Sequence, residues 1–419
     1  MADRRRGPIA ALFVGDVISL TGNRMSTLAI PWFVLVTTGS PARTGITAAA
    51  AVLPTALAGF LGGPLVDRFG FKRTSIVADI ASGVSVVLIP LLQLTVGLEF
   101  WQLLVLVFTG ALLDAPGTSA RYSLIPQAAA LARMPIERAT SLKDAAMRAS
   151  GLIGAPVAGV LIAVIGATNV LWVDAATFLV SAVLVGVAVP DREPTDEVRE
   201  PSRYLDDLRE GWRYLRGDRV ILLLLLTATA TNGLDSALAG VIVPVYVREA
   251  FGSAAVLGAL SGVMSAGAVA GVLLYGAHGR RVARRPAFIV SFLALSARGW
   301  LFAIAPPLWV LVVGSVIFGL ATGPVNPIYS AVTYERVPSR LLGRVTSLDV
   351  GLSFIAMPVG VLLAGVALNV VDVRAVLVVV SVLYTATAAS LLINPAVREI
   401  ERPRSDASAG DVTAGDAGR

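Results

Sequence analysis

Apolar residues form a series of long, nearly continuous runs along this chain, and short polar segments separate the runs. A helix needs about 20 mainly apolar residues to cross the hydrocarbon core of a bilayer. Twelve runs reach that length, so the pattern predicts an all-α membrane protein with twelve transmembrane helices, here called spans 1 to 12. Their predicted positions are residues 9–37, 44–66, 74–96, 100–120, 139–165, 168–189, 220–247, 254–277, 286–305, 307–330, 343–368 and 372–394.

Composition supports a membrane protein, because only 15% of the residues are charged and the mean hydropathy is +0.78. Soluble globular domains have about 25% charged residues. Basic residues precede the first apolar run, as they do in a secretory signal peptide. That run continues to about Thr37, contains Asp16 and has no small-residue cleavage site, so we expect an uncleaved span 1.

The distribution of basic residues predicts the orientation. With both termini in the cytoplasm, 27 of the 34 Lys and Arg residues fall at the cytoplasmic side and only Arg43, Arg248 and Arg374 at the other. This asymmetry follows the positive-inside rule, so the net charge of +6 reflects topology and not a nucleic-acid partner. We expect a multi-pass protein of the cell membrane.

The sequence repeats itself at an offset of 212 residues, where Asp114 aligns with Asn326 and Tyr122 with Tyr334. Such self-similarity is typical of a duplicated fold. It predicts a six-helix half at residues 1–189 and a second half at 220–400. Residues 190–219 form the charged linker, with an amphipathic helix in its second part, and the polar tail at 401–419 is expected to be disordered.

The segment GGPLVDRFGFKR, residues 62–73, lies between spans 2 and 3. It resembles the signature loop of the major facilitator superfamily: a glycine, three residues, Asp-Arg, a second glycine and basic residues. The resemblance implies the twelve-helix fold of that superfamily and a loop that latches the cytoplasmic face during alternating access. The matching residues are Gly63, Asp67, Arg68, Gly70, Lys72 and Arg73.

Other segments are similar to narrower groups of the superfamily. GLIGAPVAG in span 5 resembles the Gly-Pro motif of its antiporters, although small residues that let helices pack closely are an alternative explanation. DAPGTSARYSLIPQ and RATSLKDA resemble the bacterial drug-exporter branch with macrolide-efflux proteins and the enterobactin exporter. Many drug antiporters carry an arginine inside span 4, whereas residues 101–113 contain none. The residues of the antiporter-like motif are Gly151, Gly154, Pro156 and Gly159.

The sequence argues against an enzyme. It has no cysteine, a single histidine at His278 and no phosphate-binding loop ending in Gly-Lys-Ser/Thr, so we expect no cofactor, no metal site and no ATP hydrolysis. The leading hypothesis is a monomeric secondary active transporter that exports a drug-like or natural-product molecule by proton antiport. Import or symport of a small metabolite and a transport-inactive membrane sensor remain alternatives.

Ionisable residues inside a membrane are costly and need a partner or a purpose. In the fold that the resemblance implies, spans 1, 4, 7 and 10 line the central path. Asp79, Asp174 and Arg298 lie on other spans, so they are assigned to structural contacts between helices. The path candidates are Asp16, Asn23, Arg24, Thr27, Asp114, Asp235 and Asn326.

Helix geometry divides these candidates. Asp16, Asn23 and Thr27 share one stripe of span 1, because seven and four residues return to within about 40° of the same direction. Asp16 and Asp114 are predicted at similar depth as proton carriers, with bonding to a neighbouring helix as the alternative. Arg24 and Asp235 are fifteen residues from the cytoplasmic starts of spans 1 and 7, which predicts an ion pair across the path.

Overall fold

The structure is a computed structural model, and it describes residues 7–54, 70–190 and 204–401. Over the described residues each predicted span is helical, and ten of the described helices are long and apolar enough to cross a membrane. Spans 1 and 2 complete the set of twelve, although span 2 is described only over residues 41–54. The helix bounds are Gly7–Thr38, 41–54, Phe71–Thr95, Phe100–Ala132, Ile136–Ile165, Ala167–Ala188, Arg219–Phe251, Ala254–His278, Arg284–Ala303, Leu308–Arg336, Ser339–Val370 and Val373–Ile393.

Span 4 differs most from its predicted bounds. The prediction ended this helix at residue 120 and placed Arg121 in a polar connection, but the helix continues to Ala132. Arg121 is 1% exposed inside the first half. The prediction took the charged Arg121 as the end of the membrane segment. Carboxylates of other spans pair with Arg121, which allows it to be buried.

Three spans are not regular throughout. Span 7 contains a π-helical turn over Leu238–Ile242. Span 10 consists of Leu308–Thr322 and Val325–Arg336, separated at Pro324, whose ring nitrogen has no hydrogen to donate. Span 11 consists of Ser339–Phe354 and Ala356–Val370. The departures all lie in helices of the second half.

Short connections join the spans at one end of the bundle, called here the distal end. The tightest is the single residue Gly166 between spans 5 and 6, with φ of +84°. Residues with a side chain rarely adopt this backbone conformation, whereas glycine adopts it without steric cost. This explains why the position is occupied by glycine. The opposite end carries Gly7 and Glu401 and is called the terminal end. Helix hairpins therefore close the distal end, and the linker between the two halves lies at the terminal end.

Among the described residues, buried apolar side chains connect the two halves only towards the distal end. There, Trp32 and Leu103 of the first half belong to the same cluster as Tyr246, Leu257 and Val361 of the second. At the terminal end, the described residues form one cluster in the first half and two others that join spans of the second half and the linker helix. The halves share a core at one end and have separate cores at the other.

Glycines allow the halves to approach each other at the distal end. A Cβ atom on Gly45 in span 2 would lie 2.9 Å from the Cα atom of Gly365 in span 11. One on Gly159 in span 5 would lie 2.7 Å from the Cα atom of Gly258 in span 8. Backbones this close exclude any larger residue at both crossings, so the distal contact depends on glycine.

The described part of the linker ends in a helix, Tyr204–Gly217, which packs on the second half. Glu210 pairs with Arg344, and the Tyr214 hydroxyl donates to the backbone carbonyl of Arg336. Asp218 then caps span 7 by accepting from the backbone N–H groups of Val220 and Ile221. This helix is tied to the second half. The rest of the linker and the tail after Glu401 lie outside the described residues.

Candidate functional site

Arg121 lies at the centre of a buried charge cluster in the first half. Its Nη1 atom donates to Asp79 of span 3 at 2.5 Å, and its Nε atom lies 3.2 Å from the Asp16 carboxylate of span 1. Its Nη2 atom is 3.7 Å from Asp114, which precedes it by two turns in span 4. One guanidinium therefore contacts carboxylates from three spans.

Lys143 of span 5 supplies the second cation of this cluster. Its ammonium group pairs with Asp16 and lies 4.6 Å from the ring centre of Tyr122. Asp16 thus has a cation on each side, Lys143 and Arg121. The predicted proton carrier Asp16 is the carboxylate of the cluster that contacts both cations, and these contacts join spans 1, 4 and 5.

The cluster contains three carboxylates and two cations, so it has one excess negative charge when all five groups are ionised. Asp79 also accepts from the Ser181 hydroxyl at 2.8 Å. Asp114 accepts from the Asn23 amide at 3.2 Å, and its side chain is 24% exposed. Asp16 and Asp79 are at most 1% exposed, so Asp114 is the carboxylate that solvent can reach.

Sequence reasoning brought Asp16, Asn23 and Asp114 together but missed Arg121, Asp79 and Lys143 as members. The depth predicted for Asp16 and Asp114 agrees with their shared contact to Arg121. One signal was available: seven residues separate Asp114 from Arg121, which places both on one helix face. The assignment of Asp79 to purely structural contacts was incomplete, because its carboxylate contacts the central guanidinium.

Asp174 of span 6 forms a separate polar contact with span 1. Its carboxylate accepts from the hydroxyls of Ser26 and Thr177, and Gly22 lies against it. Its partners belong to spans 1 and 6. This agrees with the role in helix contacts assigned to Asp174.

Asp235 of span 7 has different partners from those predicted. Arg298 of span 9 donates to its carboxylate at 2.5 Å, and the Tyr384 hydroxyl of span 12 is within 3.3 Å. Among the described residues, no ion pair joins Arg24 to Asp235. Equal depth in the two halves did not bring them together, because Asp235 is turned towards spans 9 and 12. Arg298, assigned to structural contacts by sequence, is the partner.

The remaining path candidates are more open. Arg24, Thr27 and Asn326 are exposed. The Thr27 hydroxyl donates to the backbone carbonyl of Asn23, which also provides the amide bound to Asp114. No ligand geometry is present for a metal, because the described residues contain no suitable group of three or more His, Asp or Glu side chains.

Residues of the antiporter-like motif lie in helix crossings of span 5. A Cβ atom on Gly154 would lie 2.6 Å from the Cβ atom of Arg24, so this glycine makes room for the arginine. The ring of Pro156 fills the space beside Gly262 in span 8, and Gly159 meets Gly258. Gly151 has open space beside it. Close packing, the alternative weighed for this motif, accounts for three of its four residues.

Part of the signature loop lies outside the described residues, including Gly63, Asp67 and Arg68. Gly70 has φ of +80° and directly precedes span 3, which explains a glycine there. Lys72 and Arg73 lie in the first turn of that helix. The latch role of the loop stays a prediction.

The arrangement of two six-helix halves matches a known family. A family model described as Major Facilitator Superfamily matches residues 12–233 and 225–414, which together cover most of the chain. The chain belongs to the major facilitator superfamily. This confirms the resemblance inferred from the loop between spans 2 and 3.

Relatives within the superfamily align along nearly the whole chain. A multidrug efflux pump named Tap from Mycobacterium tuberculosis is 30% identical over 97% of this chain and 98% of that protein. Tap of Mycolicibacterium fortuitum is 28% identical over 96% and 99%. Macrolide efflux protein A of Streptococcus pyogenes is 21% identical over 84% and 87%. The predicted similarity to drug exporters is confirmed.

Solved structures share the fold of this superfamily member. The nucleoside transporter NupG has a TM-score of 0.73 at 14% identity and covers 92% of this chain and 98% of its own. A bacterial homologue of the lysosomal transporter Spinster, in an inward-facing and unoccupied conformation, has a TM-score of 0.68 at 15% identity, over 96% and 99%. These similarities support the twelve-helix architecture.

Proposed function

We propose that this chain is a secondary active transporter of the cell membrane that exports drug-like or natural-product molecules in exchange for protons. The observation that carries the proposal is its end-to-end similarity to multidrug efflux pumps. The bilayer, the small-molecule substrate and protons are its partners. Both six-helix halves belong to one chain, so a monomer contains the whole path, and the bias of basic residues supports cytoplasmic termini.

The two ends of the bundle support alternating access. With the termini in the cytoplasm, the distal end faces outwards and is closed by Gly45 against Gly365 and Gly159 against Gly258. The separate cores at the terminal end support an opening towards the cytoplasm. Transport then requires the distal contact to separate while the terminal ends approach each other.

Asp114 is the proton site in this proposal. Asp16 is the carboxylate paired with Lys143, so protonating it would leave that ammonium without a carboxylate partner among the described residues, although Arg121 would keep Asp79. Asp114 is partly exposed and sits at the edge of the cluster, 3.7 Å from Arg121. When Asp114 takes up a proton, two cations face two carboxylates and the cluster is neutral. The net charge of the cluster can thus change when a conformational change exposes Asp114 to one side of the membrane or the other.

One proton per cycle is energetically sufficient. Moving one charge through about 100 mV supplies about 2.3 kcal/mol. A tenfold concentration ratio corresponds to about 1.4 kcal/mol, so a single proton sustains a ratio above tenfold. No nucleotide is needed, which fits a chain whose only lysines are Lys72 and Lys143.

The proposal is tested first in an efflux-deficient bacterium with a panel of toxic compounds, with and without a protonophore. We expect resistance to several compounds and its loss when the protonophore is added. Compound-specific sensitisation would instead support the import alternative. No change for any compound would count against transport of such molecules.

The proton site is tested with the purified protein in proteoliposomes. Asp114→Asn should bind the exported compound but lose compound-induced proton release, because the amide cannot exchange a proton. Glu137→Gln replaces an exposed carboxylate in the first turn of span 5 and serves as the matched control. Undiminished proton release from the Asp114→Asn variant would show that another residue is the proton site.

A further inference from the structure

The direction of Arg24 on span 1 can be read from its neighbours. Gly22 and Ser26 both lie against span 6, where they meet Asp174. Arg24 stands two residues from each, so its side chain leaves the helix about 160° away from both. Asn23 faces Asp114 of span 4, and the base of Arg24 faces Gly154 of span 5. Arg24 therefore points away from span 6, with its Cβ and Cγ atoms beside span 5.

Arg24 lies on an exposed part of span 1. Span 1 touches Leu238–Phe251 of span 7 towards the distal end, and nearer the terminal end the halves have separate cores. Arg24 is exposed and lies mid-helix, roughly 25 Å from Gly7 and 21 Å from Thr38 at 1.5 Å per residue. Lipid-facing arginines at such a depth are rare, whereas water-filled cavities accept them. The central path therefore contains this guanidinium.

Arg148 of span 5 lies on the same wall. Eleven residues separate it from Gly159, which brings both to within about 20° on the helix, and Gly159 touches span 8 of the second half. Arg148 is exposed and lies six residues, about 9 Å along the helix, to the terminal side of Gly154. Exposed Asp144 is one turn closer to that end, and no ion pair joins it to Arg148 among the described residues.

The two path carboxylates on spans 4 and 7 are already engaged. Asp235 pairs with Arg298, and Asp114 belongs to the cluster around Arg121. Neither Arg24 nor Arg148 forms an ion pair or side-chain hydrogen bond with any described residue. The wall of the first half therefore presents two cations without a protein counter-charge, and Arg24 is the deeper.

We propose that Arg24 is the binding site for an anionic group of the substrate and that Arg148 attracts the same group on the way in. The preferred substrates are then amphiphilic molecules that carry a carboxylate or a similar anion. A guanidinium binds a carboxylate through two parallel hydrogen bonds, which adds orientation to charge. This inference rests on the proposed function, because it names the substrate class for that path.

The test compares carboxylic acids with their own methyl esters, since each pair differs only in the charged group. The pairs are amphiphilic drugs whose only ionisable group is a carboxylic acid, each compared with its own methyl ester. Export is measured from proteoliposomes with an imposed proton gradient. Wild-type protein should export the acids in preference to the esters, and Arg24→Gln should lower the acid-to-ester ratio at least tenfold.

Further variants separate recognition from structure. Arg24→Lys keeps the charge and should retain part of the preference, and Arg148→Gln should reduce acid export by a smaller factor. Arg374→Gln removes an exposed arginine at the distal start of span 12 and should change neither rate. Thermal unfolding of each purified variant reports whether it is folded.

Each outcome has a distinct meaning. An equal loss of acid and ester export in Arg24→Gln, or a wild-type protein without acid preference, would overturn the role of Arg24. Export of drugs by a wild-type protein that accepts neither member of any pair would overturn it as well. Failure to transport any compound would instead overturn the proposed function.

Discussion

Arg121 and Asp79 are joined by a 2.5 Å hydrogen bond between spans 4 and 3, and both side chains are almost completely buried. The same guanidinium contacts Asp16 and Asp114. Removing one partner of a buried ion pair typically costs about 3–5 kcal/mol, because the other charge remains buried without compensation. Arg121→Gln should lower the free energy of unfolding by that order and abolish transport.

Thermal unfolding in detergent and transport in proteoliposomes check this prediction. Arg138→Gln is the matched control, because Arg138 is an exposed arginine in the first turn of span 5. Equal stability of the two variants would show that the cluster does not depend on the Arg121 charge.

Asp16 and Lys143 provide a double-mutant cycle within the same cluster. Asp16→Asn leaves the Lys143 ammonium beside a neutral amide, and Lys143→Gln leaves one fewer cation for three carboxylates. The double variant removes both charges and should be less destabilised than the sum of the single variants by about 1–3 kcal/mol. Additive losses of unfolding free energy would show that this pair contributes no coupling.

Cysteines introduced in place of Ala48 and Gly240 should form a disulfide between the two halves. A Cβ atom on Gly240 in span 7 would lie 3.7 Å from the Cβ atom of Ala48 in span 2, within the usual range for disulfides. The chain has no cysteine, so the double variant Ala48→Cys and Gly240→Cys introduces the only pair. Oxidation should stop transport, because the distal contact can no longer separate.

Reduction of that disulfide should restore transport, and the two single-cysteine variants should not respond to oxidant. The measurement is transport before oxidation, after it and after reduction, with cross-linking followed by mass spectrometry. Normal transport by fully cross-linked protein would contradict alternating access through this contact.

Asp235 and Arg298 allow the charge of the second half to be changed. Arg298→Gln would leave the Asp235 carboxylate with only the Tyr384 hydroxyl as a partner among the described residues. We expect relatively better export of cationic compounds, measured as the ratio of resistance to cationic and neutral drugs. Adding Asp235→Asn removes the charge and should return this ratio to its original value. An unchanged ratio of resistance to cationic and neutral drugs in Arg298→Gln would show that the Asp235 carboxylate does not influence the transported compounds.

Local pattern accounts for much of the agreement between sequence and structure. Ten of the predicted spans match their helices closely, because a run of apolar residues between polar ends carries that signal by itself, and span 2 is described only in part. Span 4 is the exception, since a buried arginine cannot be told from an interfacial one without knowing its partners. The same limit explains why Asp235 was paired with Arg24 and not with Arg298.

The sequence by itself predicted a twelve-helix membrane protein of duplicated design, because hydropathy and the internal repeat are properties of the chain order. Transport was implied by the resemblance of the loop between spans 2 and 3 to that of the major facilitator superfamily. Helix geometry placed Asp16 and Asn23 on one stripe of span 1. Similar depth on spans 1 and 4, which are adjacent in the fold that the resemblance implies, placed Asp114 near Asp16. Only the tertiary structure decided that Arg121, Asp79 and Lys143 complete this cluster and that Arg24 is left unpaired. Helix rotation and packing set those contacts, and neither is fixed by depth along a single helix.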